Sequence, residues 1–181
     1  MQIAETTLPG VLLFTPKIFS DSRGAFFETY NEREMREACL PTDWRQDNFS
    51  ISAKNVIRGI HYQLIQPQGK LVRVVYGRVI DVAVDLRRSS THFGKHLAVE
   101  LSGENGLALW IPPGFGHGFA VLSEKAGFSY KVTDYYPPAG ERTVLWNDPA
   151  LSLPWPVAAE DAIVSAKDQQ GKLLKDAEVF P

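Results

Sequence analysis

The residues best suited to chemistry in this sequence lie in two neighbouring segments, Arg58–Gln63 and Gly69–Val75. Together they supply an arginine, a histidine and a lysine between strand-forming residues. Histidine exchanges a proton near neutral pH, whereas arginine and lysine hold anions. The combination is typical of proton transfer on an anionic substrate. A single histidine on a strand is more often a structural residue, so the surrounding sequence has to decide between the two interpretations.

General acid–base chemistry is the mechanism that these residue types fit best. His61 is the candidate base, Tyr130 a candidate acid from the opposite side, and Lys70 a candidate electrostatic partner for an oxyanion. Tyr130 and Tyr136 share strand parity, so a regular strand would place them on one face roughly 20 Å apart, which suits a long ligand. Taken alone, either tyrosine is more often a core or rim packing residue.

The spacing of Arg58 and His61 raises a geometric problem. Strict alternation along a strand puts these two side chains on opposite faces. A β-bulge at Gly59 would let both point into one pocket, and glycine is a residue at which bulges occur.

Metal-dependent and serine-dependent catalysis have little support in the sequence. The four histidines are His61, His92, His96 and His117, and no His-X-His pair occurs among them. No Gly-X-Ser-X-Gly motif is present. Cys39 is the only cysteine, which excludes an intrachain disulfide and a thiolate zinc site and fits a reducing cytoplasm. We therefore expect no metal and no cofactor.

The composition is that of an ordinary soluble protein, and the length of 181 residues predicts one domain over 1–181. The net charge is −2, so no general basic field recruits nucleic acid or membrane. The N-terminal residues lack the basic start and apolar core of a signal peptide, and no apolar run approaches the roughly 20 residues of a membrane span. We therefore expect a cytoplasmic protein.

The pattern of elements predicts an all-β jelly roll, a double-stranded β-helix of the cupin kind. Twelve prolines and 14 glycines separate short alternating segments, and about ten strands at this spacing are typical of the architecture. Predicted strands include Ala25–Tyr30, Phe128–Tyr136 and the pair Lys70–Tyr76 and Arg78–Arg87 around Gly77. In that last strand Ile80, Val82, Val84 and Leu86 alternate with Asp81, Ala83, Asp85 and Arg87.

Two short helices are expected at the periphery. Asn31 has the character of an N-cap with Glu34 three residues later, which predicts a helix near residues 32–39. A second helix is predicted after Ser165.

Nine motifs occur in order along the chain. They are Asp21–Gly24, Gln46–Asn48, Arg58–Gln63, Gln68–Arg73, Asp81–Arg87, Pro112–Phe119, Trp146–Pro149, Trp155–Pro156 and Ser165–Asp168. The ordered set closely resembles the dTDP-4-dehydrorhamnose 3,5-epimerase family, from about residue 3 to the C-terminus. One departure is the loop between His61 and Lys70, which is one residue shorter than in some members.

The resemblance implies a cupin-type jelly roll that works as a homodimer without a metal. It also implies a nucleotide-sugar substrate, dTDP-4-dehydro-6-deoxy-glucose, whose C4 ketone acidifies the protons at C3 and C5. Enzymes of this family invert both centres in dTDP-rhamnose biosynthesis. The sugar's expected destination is a bacterial surface polysaccharide such as the O antigen of lipopolysaccharide.

Site residues carry over from the family by position. The resemblance implies that His61 is the base, Asp168 its carboxylate partner, Lys70 the stabiliser of the enolate oxygen and Tyr130 the acid that reprotonates from the other face. Tyr136 matches an aromatic residue that stacks on thymine. Further substrate-contacting positions are Gln46, Asp47, Asn48, Arg58, His117, Glu141 and Lys167. Arg23 and Glu28 match residues that reach a neighbouring subunit's pocket.

Several alternatives stay open at this point. Ser165–Asp168 is also a capping-box pattern, in which the carboxylate only caps a helix, and Asp81 or Asp85 would then compete as histidine partners. Glu141 and Lys167 could be solvated surface residues. Three rival functions remain: a relative that epimerises C3 or C5 alone, a non-catalytic sugar-nucleotide-binding jelly roll, and a metal-dependent cupin.

Overall fold

The computed structural model describes residues 1–181. It contains fourteen strands, two α-helices and 3-10 turns at Pro138–Gly140 and Leu174–Asp176. In chain order the elements are β1 (Gln2–Glu5), β2 (Leu12–Thr15), β3 (Phe19–Asp21), β4 (Gly24–Phe26), α1 (Glu32–Glu37), β5 (Gln46–Ala53), β6 (Val56–Gln63), β7 (Lys70–Tyr76), β8 (Arg78–Asp85), β9 (His96–Ser102), β10 (Ala108–Ile111), β11 (Phe115–Val121), β12 (Lys125–Val132), β13 (Glu141–Thr143), β14 (Ile163–Val164) and α2 (Ala166–Gln169).

The strands form two large sheets and one small hairpin. The first sheet has the order β1-β2-β10-β7-β12-β5, and the second has the order β13-β6-β11-β8-β9 with β14 beside β6. Strands β3 and β4 form a separate two-stranded ribbon. All pairings between strands are antiparallel except that of β14 with β6. This is the expected all-β jelly roll, and the prediction of fold class is confirmed.

The main hydrophobic core lies between the two large sheets. Both sheets contribute to one cluster of 14 buried residues, with Val72 and Phe128 from the first sheet and Ala83 and Phe119 from the second. Burial of apolar surface at this interface is the main force that holds the sheets face to face.

The outer faces of the sheets are also partly covered. Val82, Val84 and Leu86 pack with the C-terminal segment behind the second sheet, and Met35 of α1 packs with Trp110 on the outside of the first. Strand β8 is consequently buried on both faces along most of its length. Its alternation of apolar and polar residues therefore does not separate a core face from a solvent face.

The strand predicted over Phe128–Tyr136 is too long, because β12 ends at Val132. Beyond Val132 the chain turns towards the loop before β7: the Thr133 N–H donates to the Gly69 carbonyl, and the Thr133 hydroxyl accepts from the Gly69 N–H. Tyr136 therefore lies outside the strand, and the parity argument that placed it on one face with Tyr130 is wrong.

Other boundaries also differ from the prediction. The strand expected over Ala25–Tyr30 is only Gly24–Phe26, the second arm of the β3–β4 hairpin. Helix α1 begins after the N-cap Asn31, as expected, and ends at Glu37, with Cys39 in the left-handed region at φ +56°. With six residues α1 is the longest helix, and no helix could cross a membrane.

Candidate active site

An irregularity at Gly59 in β6 brings the key side chains onto one face. On the neighbouring strand β11, His117 lies opposite His61. Phe119 lies opposite Arg58, so three steps along β6 correspond to two along β11. Gly59 adopts φ +122°, and a Cβ there would lie 2.5 Å from the β11 backbone. This is the bulge expected from the sequence, and it points both Arg58 and His61 between the sheets.

A pocket opens between the two sheets at this bulge. The first sheet lines it from β5, β7 and β12, and the second lines it from β6 and β11. The lining residues are Asn48, Phe49, Ser50, Arg58, His61, Lys70, His117, Gly118, Phe119, Phe128 and Tyr130. His61 and Tyr130 therefore approach the same space from opposite sheets, as acid and base must for proton transfer on two faces of a substrate.

His61 is paired with the carboxylate of Asp168. The His61 Nε2 and the Asp168 Oδ1 are 2.6 Å apart, and the carboxylate also accepts from the Gly59 N–H at 3.4 Å. Burial acts to raise the pKa of Asp168, but the hydrogen bonds and the charge of His61 outweigh it, so the pKa is lowered. A charged carboxylate requires Nε2 to carry the hydrogen, which leaves Nδ1 of neutral His61 as the basic nitrogen.

The open question about Asp168 is answered by its contacts. The Asp168 backbone N–H donates to the Ser165 hydroxyl at 3.1 Å, so Ser165 is the cap of α2 while the Asp168 side chain turns to His61. The competing carboxylates are engaged elsewhere. Asp81 accepts from His117, and Asp85 is bound by Arg87 and Ser90.

Lys70 is a buried cation at the pocket. Lys70 is 6% exposed, and its side chain points between the sheets from the start of β7. Burial lowers the pKa of Lys70 to about 8, against the attraction of Glu141 and Asp81, which act to raise it. The side chain is thus mostly protonated at pH 7 and sits where a developing negative charge would be poorly solvated.

Tyr130 shares this environment on β12. It lies opposite Asn48 of β5 and Val72 of β7, a row that faces the interior of the sandwich. Burial and the negative charge of Glu141 raise the pKa of Tyr130, and the charge of Arg58 acts in the opposite direction. Its hydroxyl is therefore held in the protonated form that a general acid requires.

Tyr136, Glu141 and Lys167 form a polar cluster beside His61. The Tyr136 hydroxyl donates to Glu141 at 2.5 Å, and the Lys167 ammonium forms an ion pair with the same carboxylate. The Glu141 side chain is only 12% exposed. Burial acts to raise the pKa of Glu141, but these two partners outweigh it and the pKa is lowered. Glu141 is thus not a free surface carboxylate, whereas Lys167 is half exposed.

The motif Gln46–Asn48 is divided between two faces of β5. Gln46 and Asn48 point inward, and the Gln46 amide donates to the Asn48 side-chain oxygen at 2.6 Å. Asp47 points outward and forms an ion pair with Lys131 at 3.0 Å. Within one chain, Asp47 is outside the pocket.

Arg23 and Glu28 also lie away from the pocket. Arg23 is at the tip of the β3–β4 hairpin, where it is paired with Asp21 at 2.6 Å and strongly exposed. Glu28 follows the hairpin and accepts from the Asn31 amide. Neither residue contacts the pocket of its own chain.

The structure adds Ser52 to the site and gives contacts to two residues that the sequence had named only as part of a motif or as a possible histidine partner. Ser52 accepts from the Arg58 Nε at 3.0 Å, Asp81 accepts from His117, and Phe119 stacks on Phe128 in the pocket wall at 4.2 Å between ring centroids. Ser52 has the same parity as Gln46 and Asn48, a signal that was available in the sequence. The other contacts join different strands and had no local signal.

The fold and the site together define a class of protein. A jelly roll with a histidine–aspartate pair on one sheet, and a protonated tyrosine and a buried lysine on the other, is equipped to move protons on two faces of a substrate, which is the chemistry of an acid–base epimerase, a kind of isomerase. No group of three or more histidine, cysteine, aspartate or glutamate side chains is arranged to hold a metal ion.

Comparison with known proteins identifies the family. The family model described as dTDP-4-dehydrorhamnose 3,5-epimerase matches residues 5–176. The dTDP-4-dehydrorhamnose 3,5-epimerase of Pseudomonas aeruginosa is 52% identical over 183 residues, covering 100% of both chains. The chain belongs to the dTDP-4-dehydrorhamnose 3,5-epimerase family, as the sequence motifs indicated.

Two solved structures show the same fold. A dTDP-6-deoxy-D-glucose-3,5-epimerase from Legionella pneumophila, in complex with dTDP-4-keto-L-rhamnose, has a TM-score of 0.93 and 47% identity over 98% of this chain and 94% of that one. ChmJ, a 3'-monoepimerase from Streptomyces bikiniensis in complex with dTDP-quinovose, has a TM-score of 0.88 and 31% identity over 94% and 86% of the two chains. The fold is thus shared by enzymes that act on one centre and on two.

Proposed function

We propose that this enzyme converts dTDP-4-dehydro-6-deoxy-D-glucose into dTDP-4-dehydro-L-rhamnose by exchanging the protons at C3 and C5. The observation that carries the proposal is the placement of His61, paired with Asp168, and Tyr130 on opposite sheets of one pocket. Inversion of a carbon centre needs proton removal on one face and delivery on the other, and these two groups approach from two sides.

His61 is the base in this scheme. Its Nδ1 takes the proton from C3 or C5, and Asp168 stabilises the imidazolium that forms while keeping the ring in the required tautomer. The Asp168 carboxylate is buried, with 4% of its side chain exposed, so its attraction for the imidazolium is weakly screened by water.

Lys70 stabilises the intermediate. Removal of a proton beside the C4 ketone moves negative charge onto the C4 oxygen, and the attraction of an ammonium ion for that oxygen grows as the charge develops. A contact that strengthens in the transition state lowers the barrier.

Tyr130 completes the inversion. It donates its proton to the enolate carbon on the face opposite His61, which converts the enolate back to the ketone with inverted configuration. Tyrosinate and imidazolium then return to their starting states by exchange with solvent. The cycle repeats at the second carbon.

Further residues in and around the pocket bind the nucleotide sugar. Arg58, held by Ser52, and Lys167 supply positive charge for the diphosphate. His117, Asn48 and Gln46 supply hydrogen bonds to the sugar, and Tyr136 with Glu141 forms the rim on which thymine stacks. We assign no direct contact to Asp47 from within its own chain, because its side chain faces outward.

A homodimer accounts for Arg23 in the hairpin and Glu28 after it. Arg23 and Glu28 lie outside the pocket of their own chain but are exposed and charged, so they are available to the pocket of a second subunit. The whole span 1–181 acts as one cupin-like domain, and the enzyme works in the cytoplasm, where its nucleotide-sugar substrate would be made and used.

A mono-epimerase of a related deoxysugar pathway is the second candidate, favoured by the likeness of the fold to ChmJ. With one base and one acid in the pocket, the number of centres inverted depends on how the sugar is oriented between His61 and Tyr130. Substrate incubated in heavy water, with NMR detection at C3 and C5, separates the two. Deuterium at both carbons with inversion supports the double epimerase, and label at one carbon assigns a mono-epimerase. No label with binding intact means a binding protein and contradicts the proposal.

A further inference from the structure

Asp81 is a buried carboxylate beneath the pocket for which the mechanism above has no use. Asp81 lies on β8 opposite Phe119 of β11. On the other side of β11, Phe119 lies opposite Arg58 of β6. The side chain of Asp81 therefore points between the sheets, below the residues that line the pocket, and the residue is 0% exposed. A fully buried carboxylate is costly to maintain unless neighbouring groups compensate its charge.

One oxygen of Asp81 has a partner and the other has none. The Oδ2 accepts from the His117 Nε2 at 2.9 Å, whereas the buried Oδ1 makes no hydrogen bond. The His117 ring, with 9% of its side chain exposed, is held against Phe128 at 5.9 Å between ring centroids. His117 is thus fixed by Asp81 on one side while contributing to the pocket wall.

Lys70 lies on the first sheet and Asp81 on the second, and both residues are buried. Burial favours the neutral amine and lowers the pKa of Lys70 to about 8, while Glu141 and Asp81 attract its positive charge. Glu141 is already engaged by Tyr136 and Lys167. The titratable groups around the pocket are His61 and Arg58 from β6, Asp81 from β8, His117 from β11, Tyr130 from β12 and Glu141 from β13. Asp81 is therefore the counter-charge with an unengaged oxygen.

We propose that Asp81 is a positioning residue for the epimerase reaction: its carboxylate keeps Lys70 in the ammonium form and keeps His117 in the tautomer with hydrogen on Nε2. The positive charge of Lys70 and the negative charge of Asp81 then cancel within the buried site, and His117 stays neutral. Nδ1 of His117 is left as an acceptor for a substrate hydroxyl. The inference rests on the function proposed above, and it adds a residue that does not touch the substrate.

Substitution of Asp81 tests the link to Lys70 through the pH profile. Deuterium exchange into substrate is measured from pH 6 to 10 for the wild type, Asp81→Asn and Asp81→Glu. The wild type should lose activity as pH rises through about 8. The activity of Asp81→Asn should fall about one pH unit lower, because the Lys70 ammonium has lost a counter-charge. Its rate at the optimal pH should be about tenfold lower than that of the wild type. In Asp81→Glu the alkaline limb, the fall in activity at high pH, should stay at its wild-type position.

Asp85→Asn is the matched control. Asp85 lies on the same strand and has the same parity and burial, but Arg87 and Ser90 bind its carboxylate away from the pocket. Its substitution should leave the alkaline limb unchanged. An Asp81→Asn variant with reduced rate and a wild-type alkaline limb would show a merely structural role for Asp81 and overturn the proposal.

A second measurement needs no variant and no turnover. Ring ¹⁵N NMR of the wild-type enzyme at pH 8 reports the tautomer of His117 directly. The proposal requires hydrogen on Nε2 and a lone pair on Nδ1. A ring with hydrogen on Nδ1 alone, or an imidazolium at this pH, contradicts it. Because this readout is independent of activity, failure of the proposed function would appear separately, as absent deuterium exchange in the wild type.

Discussion

His61 and Asp168 are 107 residues apart in the chain and share a hydrogen bond of 2.6 Å at the edge of the pocket. The contact exists because α2 packs against β6, where Asp168 also accepts the Gly59 N–H at 3.4 Å. The bulge at Gly59 thus supports the pair in two ways. It turns His61 into the pocket, and it supplies a backbone donor that holds the carboxylate in place.

Loss of the Asp168 charge should impair proton removal. In Asp168→Asn the amide can still hydrogen-bond His61, but it no longer stabilises the imidazolium or enforces the reactive tautomer. We expect kcat for deuterium exchange at both carbons to fall by about 10²–10⁴-fold with little change in KM. The exposed Asp161→Asn is the control and should retain full activity. A similar loss in both variants would contradict the assigned role.

Removal of the Tyr130 hydroxyl should separate exchange from inversion. In Tyr130→Phe, His61 still removes a proton and can return deuterium from solvent to the same face. We expect deuterium to enter the starting sugar while formation of the inverted product falls at least about 10²-fold. Tyr135→Phe, at an exposed tyrosine of the following loop, serves as the control. Complete loss of exchange in Tyr130→Phe would show that Tyr130 takes part in proton removal.

The activity should depend on the protonation of Lys70. The pKa of Lys70 is lowered to about 8 by burial, so the ammonium is present below this pH and is lost as the pH rises through it. The rate should fall correspondingly on the alkaline side. Lys70→Arg, whose guanidinium does not titrate in this range, should show a lower rate without that alkaline limb. An unchanged limb in Lys70→Arg would assign the titration to another group.

Ser52 should influence binding through Arg58. Its hydroxyl accepts from the Arg58 Nε at 3.0 Å, and one such bond is worth about 0.5–1.5 kcal/mol. Ser52→Ala should therefore raise KM by roughly 2–10-fold while kcat stays near the wild-type value. Ser129→Ala, on a strand of the same sheet, is the control because Ser129 is next to Tyr130 on β12 but is not among the residues that line the pocket. A fall in kcat alone would exclude this binding role.

A side chain at Gly59 should damage both folding and the site. Gly59 and Gly24 have similar φ values of +122° and +129°, but only at Gly59 would a Cβ meet backbone, at 2.5 Å from the Gly118 Cα. We expect Gly59→Ala to lower the free energy of unfolding by about 3 kcal/mol or more and Gly24→Ala by about 1 kcal/mol. Equal losses in denaturant titrations would mean that backbone conformation alone sets the cost.

Sequence patterns were sufficient to predict the fold class because strand periodicity is a local property. Alternation, glycine and proline turns, and the capping residue Asn31 all act within a few positions, and they predicted a jelly roll with two short helices. Where a strand ends is less local. Strand β12 stops at Val132, where the Gly69 N–H of a distant loop donates to the Thr133 side-chain hydroxyl, and Tyr136 lies beyond this end.

The amino-acid sequence by itself determined the family, through nine motifs in fixed order, and with it the candidate base, acid and lysine. Only the tertiary structure decided which carboxylate meets which histidine, that Arg58 and His61 share a face, and that Asp81 is buried. The physical reason is that an alternating strand shows which residues share a side but not what covers that side. Both sides of β8 are covered, so Asp81 is buried beneath the pocket although the alternating pattern would place an aspartate towards solvent.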